Sequence, residues 1–339
     1  MNLWRVAIDE RSGRVLDAPE PVATPSMYAG HISFARDGTK MAYANFIVRA
    51  NLQAIGFDPD TRTIVGEPRW LTRGSMTMES PDISPDGQWL VFTASSATEQ
   101  EDIYVMRRDG TERRKLTDDV AKDRTPRWSP DGRQLAFYSD RSGRYEIWLI
   151  NRDGSGLRRL THSSGSIVYY PVWAPDGRRL LYQHMDRGNF IIDLEHPERP
   201  PQRLPQDGIE KFTPWAWSPD GDKLIGGVRI KGQTVRYLNV YSFTTQTYEP
   251  MTSLGLERTA WLRDNRQVIF RTEDHELYLL DTHTRETSKL LSAAPDAIKS
   301  FALSPDNREV VFSRWSTEVN IWLATSASEA DRDPSGRSR

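Results

Sequence analysis

The chain contains no cysteine. Disulfides, thiolate nucleophiles and cysteine-ligated zinc are therefore excluded. Compartment stays open, because oxidising and reducing locations both tolerate such a chain, and periplasm and cytoplasm are equal expectations. No run of about 18 apolar residues occurs, so no transmembrane helix is encoded. No signal peptide follows Met1 either: the chain enters a strand-like LWRVAID. A start inside a strand pattern is what an excised part of a longer protein would show. An excess of one charge is also missing. The 45 Lys and Arg against 47 Asp and Glu leave a net charge of −2, which does not steer the molecule towards a polyanion or an anionic membrane. There is no H-E-x-x-H and no G-x-S-x-G pentapeptide, so a hydrolase domain built on a nucleophile elbow is absent from the chain.

What the chain does hold is aromatic area, with 11 Trp, 12 Tyr and 11 Phe, and a repeat. The stretch from Trp128 to Thr161 reads as four short strands joined by three tight connections. Its organising turn is Ser129-Pro130-Asp131-Gly132, in which Pro pre-sets φ and Gly supplies a left-handed residue. Versions of this turn recur at Asp37, Asp86, Asp176, Asp220, Asp264 and Asp306, and successive spacings run 49, 45, 45, 44, 44 and 42 residues. Asn265 and Asn307 replace the Gly, as the next-best residue for a left-handed site. These seven aspartates are expected to be structural, accepting backbone N–H groups within their own turns.

Around each Asp the pattern is that of strands. Three residues before it stands an apolar side chain (Trp128, Trp173, Trp217 and Trp261 among them), and four to six residues after it an apolar triad such as Leu135-Ala136-Phe137. A strand apolar on both faces is buried on both faces. A third strand (EIWLINR, ELYLLDT) and a short, charged fourth (LRRLT, RRKLT) complete each repeat, the charge protecting an outer edge. A four-stranded antiparallel unit of about 45 residues in an all-β chain predicts a β-propeller. Seven blades are expected within one domain over residues 1–324: roughly 25–72, 73–117, 118–161, 162–204, 205–252, 253–291, and 292–324 together with 2–24. Pairing of N- and C-terminal strands would close the ring. Residues 325–339 read as a disordered tail.

The repeated W-S-P-D-G-x-x-L-A-F-x-S…I-W-L…D-G…R-R-L-T pattern resembles the TolB-like propeller repeats, relatives of the WD-repeat group, over about residues 2–324. The resemblance implies the fold and leaves function open. Similar propellers occur in periplasmic TolB, in sensor regions of bacterial transcriptional regulators and kinases, and as gating domains of prolyl-oligopeptidase-type peptidases. TolB itself is six-bladed, whereas seven first-strand hairpins are counted here.

No catalytic constellation, cofactor motif or metal motif is found. His275 and His283, with Asp274 and Asp281, come nearest to ligand spacing and read as a solvated loop. The basic clusters at 113–115 and 158–159 read as edge protection rather than a nucleic-acid surface. Function is therefore expected at the channel mouth, where mixed charges and aromatics interleave as partner surfaces do. The candidates are His31, Glu79, Arg124, Tyr169, Tyr170, Lys211, Arg258 and Lys299 from connections between blades, and Arg141 and Trp315 from connections within them. The expected role is a non-catalytic binding or sensing module for a protein, peptide or small ligand, part of a larger bacterial protein, with no nucleic acid and no membrane insertion. The alternatives are a propeller lyase or hydrolase using Glu79, Glu101, Asp186, Asp274 or His31, and a peptidase-gating propeller.

Overall fold

A computed structural model of the chain describes residues 4–6, 8–9, 11–21, 28–37, 40–95, 100–163, 165–206, 209–230, 236–254 and 257–325. Among these, every regular element is a β-strand. The chain forms two compact units, Ala50–Trp315 and Met1–Arg49 with Ser316–Arg339.

The larger unit consists of four-stranded antiparallel meanders, here called blades I to VI. Blade I comprises Thr77–Ile83, Trp89–Ser95, Glu101–Arg107 and Arg114–Lys115. Blade II comprises Asp123–Trp128, Gln134–Ser139, Glu146–Asn151 and Arg158–Arg159. Blade III comprises Val168–Trp173, Arg179–His184, Gly188–Asp193 and Gln202–Arg203. Blade IV comprises Ile209–Trp217, Lys223–Ile230, Arg236–Ser242 and Tyr248–Thr252. Blade V comprises Glu257–Trp261, Gln267–Arg271, Leu277–Asp281 and Thr287–Leu291. Blade VI draws on both ends of the unit: Ala297–Leu303 pairs with the strand Glu309–Thr325, which lies beside Lys40–Asp58, which pairs in turn with Thr63–Trp70.

Six hydrophobic layers lie between these six blades, one at each interface. Leu135 and Phe137 of blade II pack with Val91 and Ile103 of blade I. The alternate residues of the same strand, Ala136 and Tyr138, pack with Val168 and Leu180 of blade III. The pattern continues through Val172 and Phe212, then Ile225 and Phe270, then Ile269 and Phe312. It returns to blade I where Val311, Leu52 and Ala54 of blade VI meet Met78 and Phe92. Each second strand is thus buried on both faces, as its apolar triad requires. Burying a Leu or Phe fully stabilises by about 1.5–3 kcal/mol, so the layers between blades dominate cohesion.

Polar links cross every interface as well. Asp82 accepts the Trp128 N–H (2.7 Å), and the Trp173 indole donates to the Arg127 carbonyl (3.1 Å). Gln183 donates to the Phe212 carbonyl (2.9 Å). Asp220 N–H donates to Asn265 and Arg263 N–H to Asn307, at 2.9 and 2.8 Å. Ser300 Oγ accepts from Ser80 N–H (2.8 Å), and Ser313 donates to the Met78 carbonyl (2.6 Å). Asn265 and Asn307 do take φ of 55° and 57°, and their side chains add a bridge to the neighbouring blade. In the SPDG turns the Asp carboxylate accepts the N–H two residues on and, where a Ser stands two residues before it, that hydroxyl. Ser129 Oγ donates to Asp131 at 2.6 Å and Arg133 N–H at 3.0 Å.

The seven-blade expectation is corrected to six meanders among the described residues. Residues 50–58 do not follow the Asp37 hairpin as the third strand of a blade of their own. Lys40–Asp58 is one unbroken strand, because ANFIVRANL offers no Gly, Pro or Asp at which to fold back. Its last residues serve blade VI, so two strands from each end of the unit close the ring. Within the span 2–24, whose residues 2, 3, 7, 10 and 22–24 lie outside the described ones, Trp4–Arg5 pairs with Glu20–Pro21 inside the smaller unit. That unit also holds the hairpin Tyr28–Phe34 with the start of Lys40–Asp58, so the Asp37 turn belongs there. The single domain expected over 1–324 is accordingly two units. The expected tail lies outside the described residues from 326 onward, and Thr325 ends a strand.

Candidate functional site

The first strand of each blade is broken by a register shift between four and eight residues before its turn Asp. The register shifts fall at Glu79/Asp82, Arg124/Arg127, Tyr169/Val172, Pro214/Ala216, Glu257/Thr259 and Ile298/Ser300. In blades I to III the bulge contains Pro81, Pro126 or Pro171. Pro has no N–H to give the ladder, so pairing must lapse there. The residue six before the turn Asp is left-handed in four blades: Ser80 (φ 54°), Thr125 (52°), Tyr170 (55°) and Arg258 (69°). For bulky residues this backbone costs on the order of 1 kcal/mol each. Bulges re-aim side chains, and here they aim them into one cavity.

That cavity has a volume of about 540 Å³ and draws lining residues from all six blades. Blades II to IV supply an aromatic side. Tyr138 stands edge-on to Tyr145 and Tyr170 (ring centroids 5.3 and 5.7 Å apart). Tyr169 and Tyr170 meet at 4.7 Å, as do Tyr170 and Trp215. Blades I, V and VI supply Glu79, Arg258 and Lys299. Cations cap the aromatic side as well. Arg124 lies 5.3 Å over Tyr145, Lys211 5.9 Å over Tyr169, and Arg258 4.9 Å over Trp215. Met185, also lining, is 53% exposed and sits where the cavity opens.

The ionisable groups differ in how far they are neutralised. Arg124 forms a two-pronged ion pair with Glu101, which holds the guanidinium charged more firmly than usual. Glu79 makes no ion pair or side-chain hydrogen bond among the described residues. Burial pushes its carboxyl above the ordinary carboxylate range, against the pull of Arg258 and Lys299. Burial, helped by Tyr170, pushes the Tyr138 hydroxyl up to about 12.

Of the ten residues expected at the mouth, seven line this cavity: Glu79, Arg124, Tyr169, Tyr170, Lys211, Arg258 and Lys299. All seven were expected on connections between blades; every one of them is in fact on a first strand. Three are elsewhere. His31 lies in the smaller unit, exposed, its ring 5.9 Å from Phe46. Arg141 is locked away: it grips buried Asp123 at 2.7 and 2.8 Å and Asp119 at 3.0 Å. Trp315 underlies Lys299, whose Nζ is 5.0 Å from the ring centroid, without reaching the cavity. Tyr138 and Trp215 line the cavity and were missed. The available signal was the Pro that marks the bulge, five residues before the turn Asp in blades I to III and, as Pro214, immediately before Trp215 in blade IV. Asp281 is held by Arg266 (2.6 Å) and its own turn. Among the described residues no group of three His, Asp or Glu side chains converges to hold a metal.

An all-β ring of four-stranded blades, with unlike side chains gathered from each first strand into one axial cavity, defines a β-propeller. The sequence model of the TolB beta propeller domain matches residues 10–261, and the chain belongs to that family. Solved structures similar to it include a protein of Agrobacterium tumefaciens assigned as TolB, at 19% identity and TM-score 0.63, covering 79% of this chain and 99% of that one. TolB of Acinetobacter baumannii aligns at 20% identity and TM-score 0.61, over 72% of this chain and 64% of that one. An oligogalacturonate lyase in complex with manganese aligns at 13% identity and TM-score 0.55, over 93% and 96%. These likenesses show the fold. No curated protein sequence matches the chain.

Proposed function

We propose that this propeller is a binding or sensing module without chemistry of its own, and that a partner segment or small ligand enters the axial cavity. The observation that carries the reading is the convergence of Glu79, Arg124, Tyr169, Tyr170, Lys211, Arg258 and Lys299, all variable positions of the repeat, on one cavity. A ring of identical structural units gains nothing for stability from such unlike residues at its axis, and left-handed Tyr170 and Arg258 tax it. Concave sites lined by aromatics with a few charged groups are where ligands bind. The absence of cysteine makes the test clean. Met185→Cys at the opening and Arg158→Cys on an outer strand each give one labelling site for a photo-crosslinker. Adducts should form from position 185 and not from 158; capture from 158 alone would refute the cavity reading.

A second reading is a propeller lyase. Its support is Glu79, a carboxyl raised by burial next to Arg258 and Lys299, together with the lyase among the similar folds. Release of unsaturated product from oligogalacturonate, lost in Glu79→Gln, would favour it; no turnover leaves the binding role.

A further inference from the structure

The cavity's charges do not balance. Of its five lining cations, Arg124 is spoken for by Glu101 and Arg229 lies 3.8 Å from Glu210. Lys211, Arg258 and Lys299 have no carboxylate partner among the described residues, and the lining contains one acidic group, Glu79. Three free cations against one carboxylate leave a surplus of two positive charges.

Arg258 is the most telling of the three. Nη2 donates to Ser80 Oγ at 3.0 Å, while Nη1 is buried and makes no hydrogen bond. A guanidinium presents its donors in a fixed fork suited to carboxylate or phosphate, and a buried donor left unpaired is costly. Its Cζ lies 4.9 Å from the Trp215 ring centroid and 6.0 Å from that of Tyr170. The missing acceptor therefore belongs beside an aromatic face.

Building on the binding role above, we propose that the cavity takes a small ring-bearing anion carrying one or two negative charges, its ring against Tyr170 and Trp215 and its carboxylate or phosphate on Arg258 Nη1 and Lys299. A volume of about 540 Å³ holds a ligand of that size. Glu79 then sets the upper limit on charge, since its carboxylate repels a highly charged ligand. The charged groups around Glu79 are Arg258, Lys299, Arg124 and Glu101. Its protonation removes the one opposing charge in the lining, so binding should tighten as pH falls.

The test uses matched pairs that share a ring and differ in whether it carries an anionic group: 2-naphthoate with 2-naphthamide, adenosine monophosphate with adenosine, and glucuronate with glucose. Inorganic sulfate serves as an anion without a ring. Calorimetric titration should show at least one charged ring binding about tenfold or more tighter than its neutral partner, and sulfate binding poorly. The three pairs separate an aryl acid, a nucleotide and a sugar acid as the source. Arg258→Met and Lys299→Met should each weaken that ligand about tenfold. Lys299 contacts Trp315 rather than a blade-linking group, so its variant stays informative even if Arg258→Met unfolds. Glu79→Gln should bind more tightly and lose the pH dependence. Equal binding of charged and neutral members, or an unchanged affinity in Lys299→Met, overturns the proposal. Cavity crosslinking at position 185 with no binding of any ring-bearing anion sinks the ligand class and leaves the binding role standing; failure of both sinks both.

Discussion

Adding one methyl group at Gly226 is the sharpest perturbation of this fold. Six residues after the turn Asp the other repeats carry Tyr43, Phe92, Phe137, Tyr182, Phe270 and Phe312, and blade IV alone carries Gly. Gly226 is buried on the second strand, in register with Pro214 on the first. A Cβ there would lie 2.6 Å from Pro214 Cα and 2.7 Å from the Thr213 carbonyl carbon, with the Thr213 oxygen nearer still. All three are backbone atoms, which cannot rotate aside. Gly226 has no left-handed φ, so conformation alone would favour the substitution. Gly→Ala at a compatible strand position stabilises by about 0.4–1 kcal/mol through the unfolded chain. Overpacking against backbone costs about 1–3 kcal/mol. The clash should win by about 1–2 kcal/mol. At about 2–4 °C per kcal/mol for a domain of this size, Gly226→Ala should lower Tm by roughly 2–8 °C in thermal unfolding followed by tryptophan fluorescence. The displaced strand also carries Lys211, Thr213 and Trp215 into the cavity, so ligand affinity should drop in the same variant. A Tm that rises, or stays within error of the parent, would refute the close approach as the reason for glycine.

Two other perturbations separate scaffold from site. Arg141→Met strands the carboxylate of Asp123, which is fully buried; breaking such a pair costs about 3–5 kcal/mol, so urea unfolding should show a large loss while cavity ligand affinity in the folded fraction is unchanged. Glu79 gives a pH signature: its folded-state carboxyl is raised by burial, so its stabilising contribution is complete below the unfolded value of about 4.3 and is lost as pH rises through the folded value. Glu79→Gln should therefore exceed the parent Tm at about pH 8, with the gap closing towards about pH 4; a gap independent of pH would show that the carboxyl is not desolvated.

The blade was legible because its signals are local. Alternation in Leu135-Ala136-Phe137 predicts burial on two faces, and those residues split between two interfaces as they must. The number of blades was not legible from hairpin counting, since it depends on which distant strand receives a segment. Residues 50–58 have third-strand composition wherever they pair, and their partner at 309–315 is more than 250 residues away. The unbroken ANFIVRANL was the readable hint. Arg141 misled for a similar reason: an exposed-looking Asp-Arg-Ser-Gly turn gave no sign that Asp123, from a neighbouring strand, claims its guanidinium. Asn265 and Asn307 were read for their backbone alone, and the acceptor their side chains offer the adjacent blade appears only once blades are side by side.

Three places in each repeat explain why the site could be found at all. Counting from the turn Asp, they are the residues seven before, six before and seven after. In blade II these are Arg124, Thr125 and Tyr138; in blade III, Tyr169, Tyr170 and Gln183; in blade I, Glu79, Ser80 and Thr93. Two constraints meet there. In blades I to III the bulge takes the residue six before out of the ladder, so its type is not dictated by pairing, whereas the residues seven before and seven after are in register with each other (Glu79 with Thr93, Arg124 with Tyr138, Tyr169 with Gln183). Six of these nine residues also line the axial cavity, Tyr138 doing so while it packs in the layer between blades II and III. Where such a residue is used structurally, it is small and bonds the next blade, as Thr93 Oγ1 accepts from Thr125 N–H at 3.1 Å and Ser300 Oγ from Ser80. The large or charged ones in blades I to III line the cavity, as do Arg258 and Lys299, whereas Arg271, seven after in blade V, is buried outside that lining. Under the proposed binding role, exchange at Glu79, Arg124, Arg258 or Lys299 should change what the cavity recognises without touching the six apolar layers, so recognition and apolar cohesion are carried by different residues of the same strand.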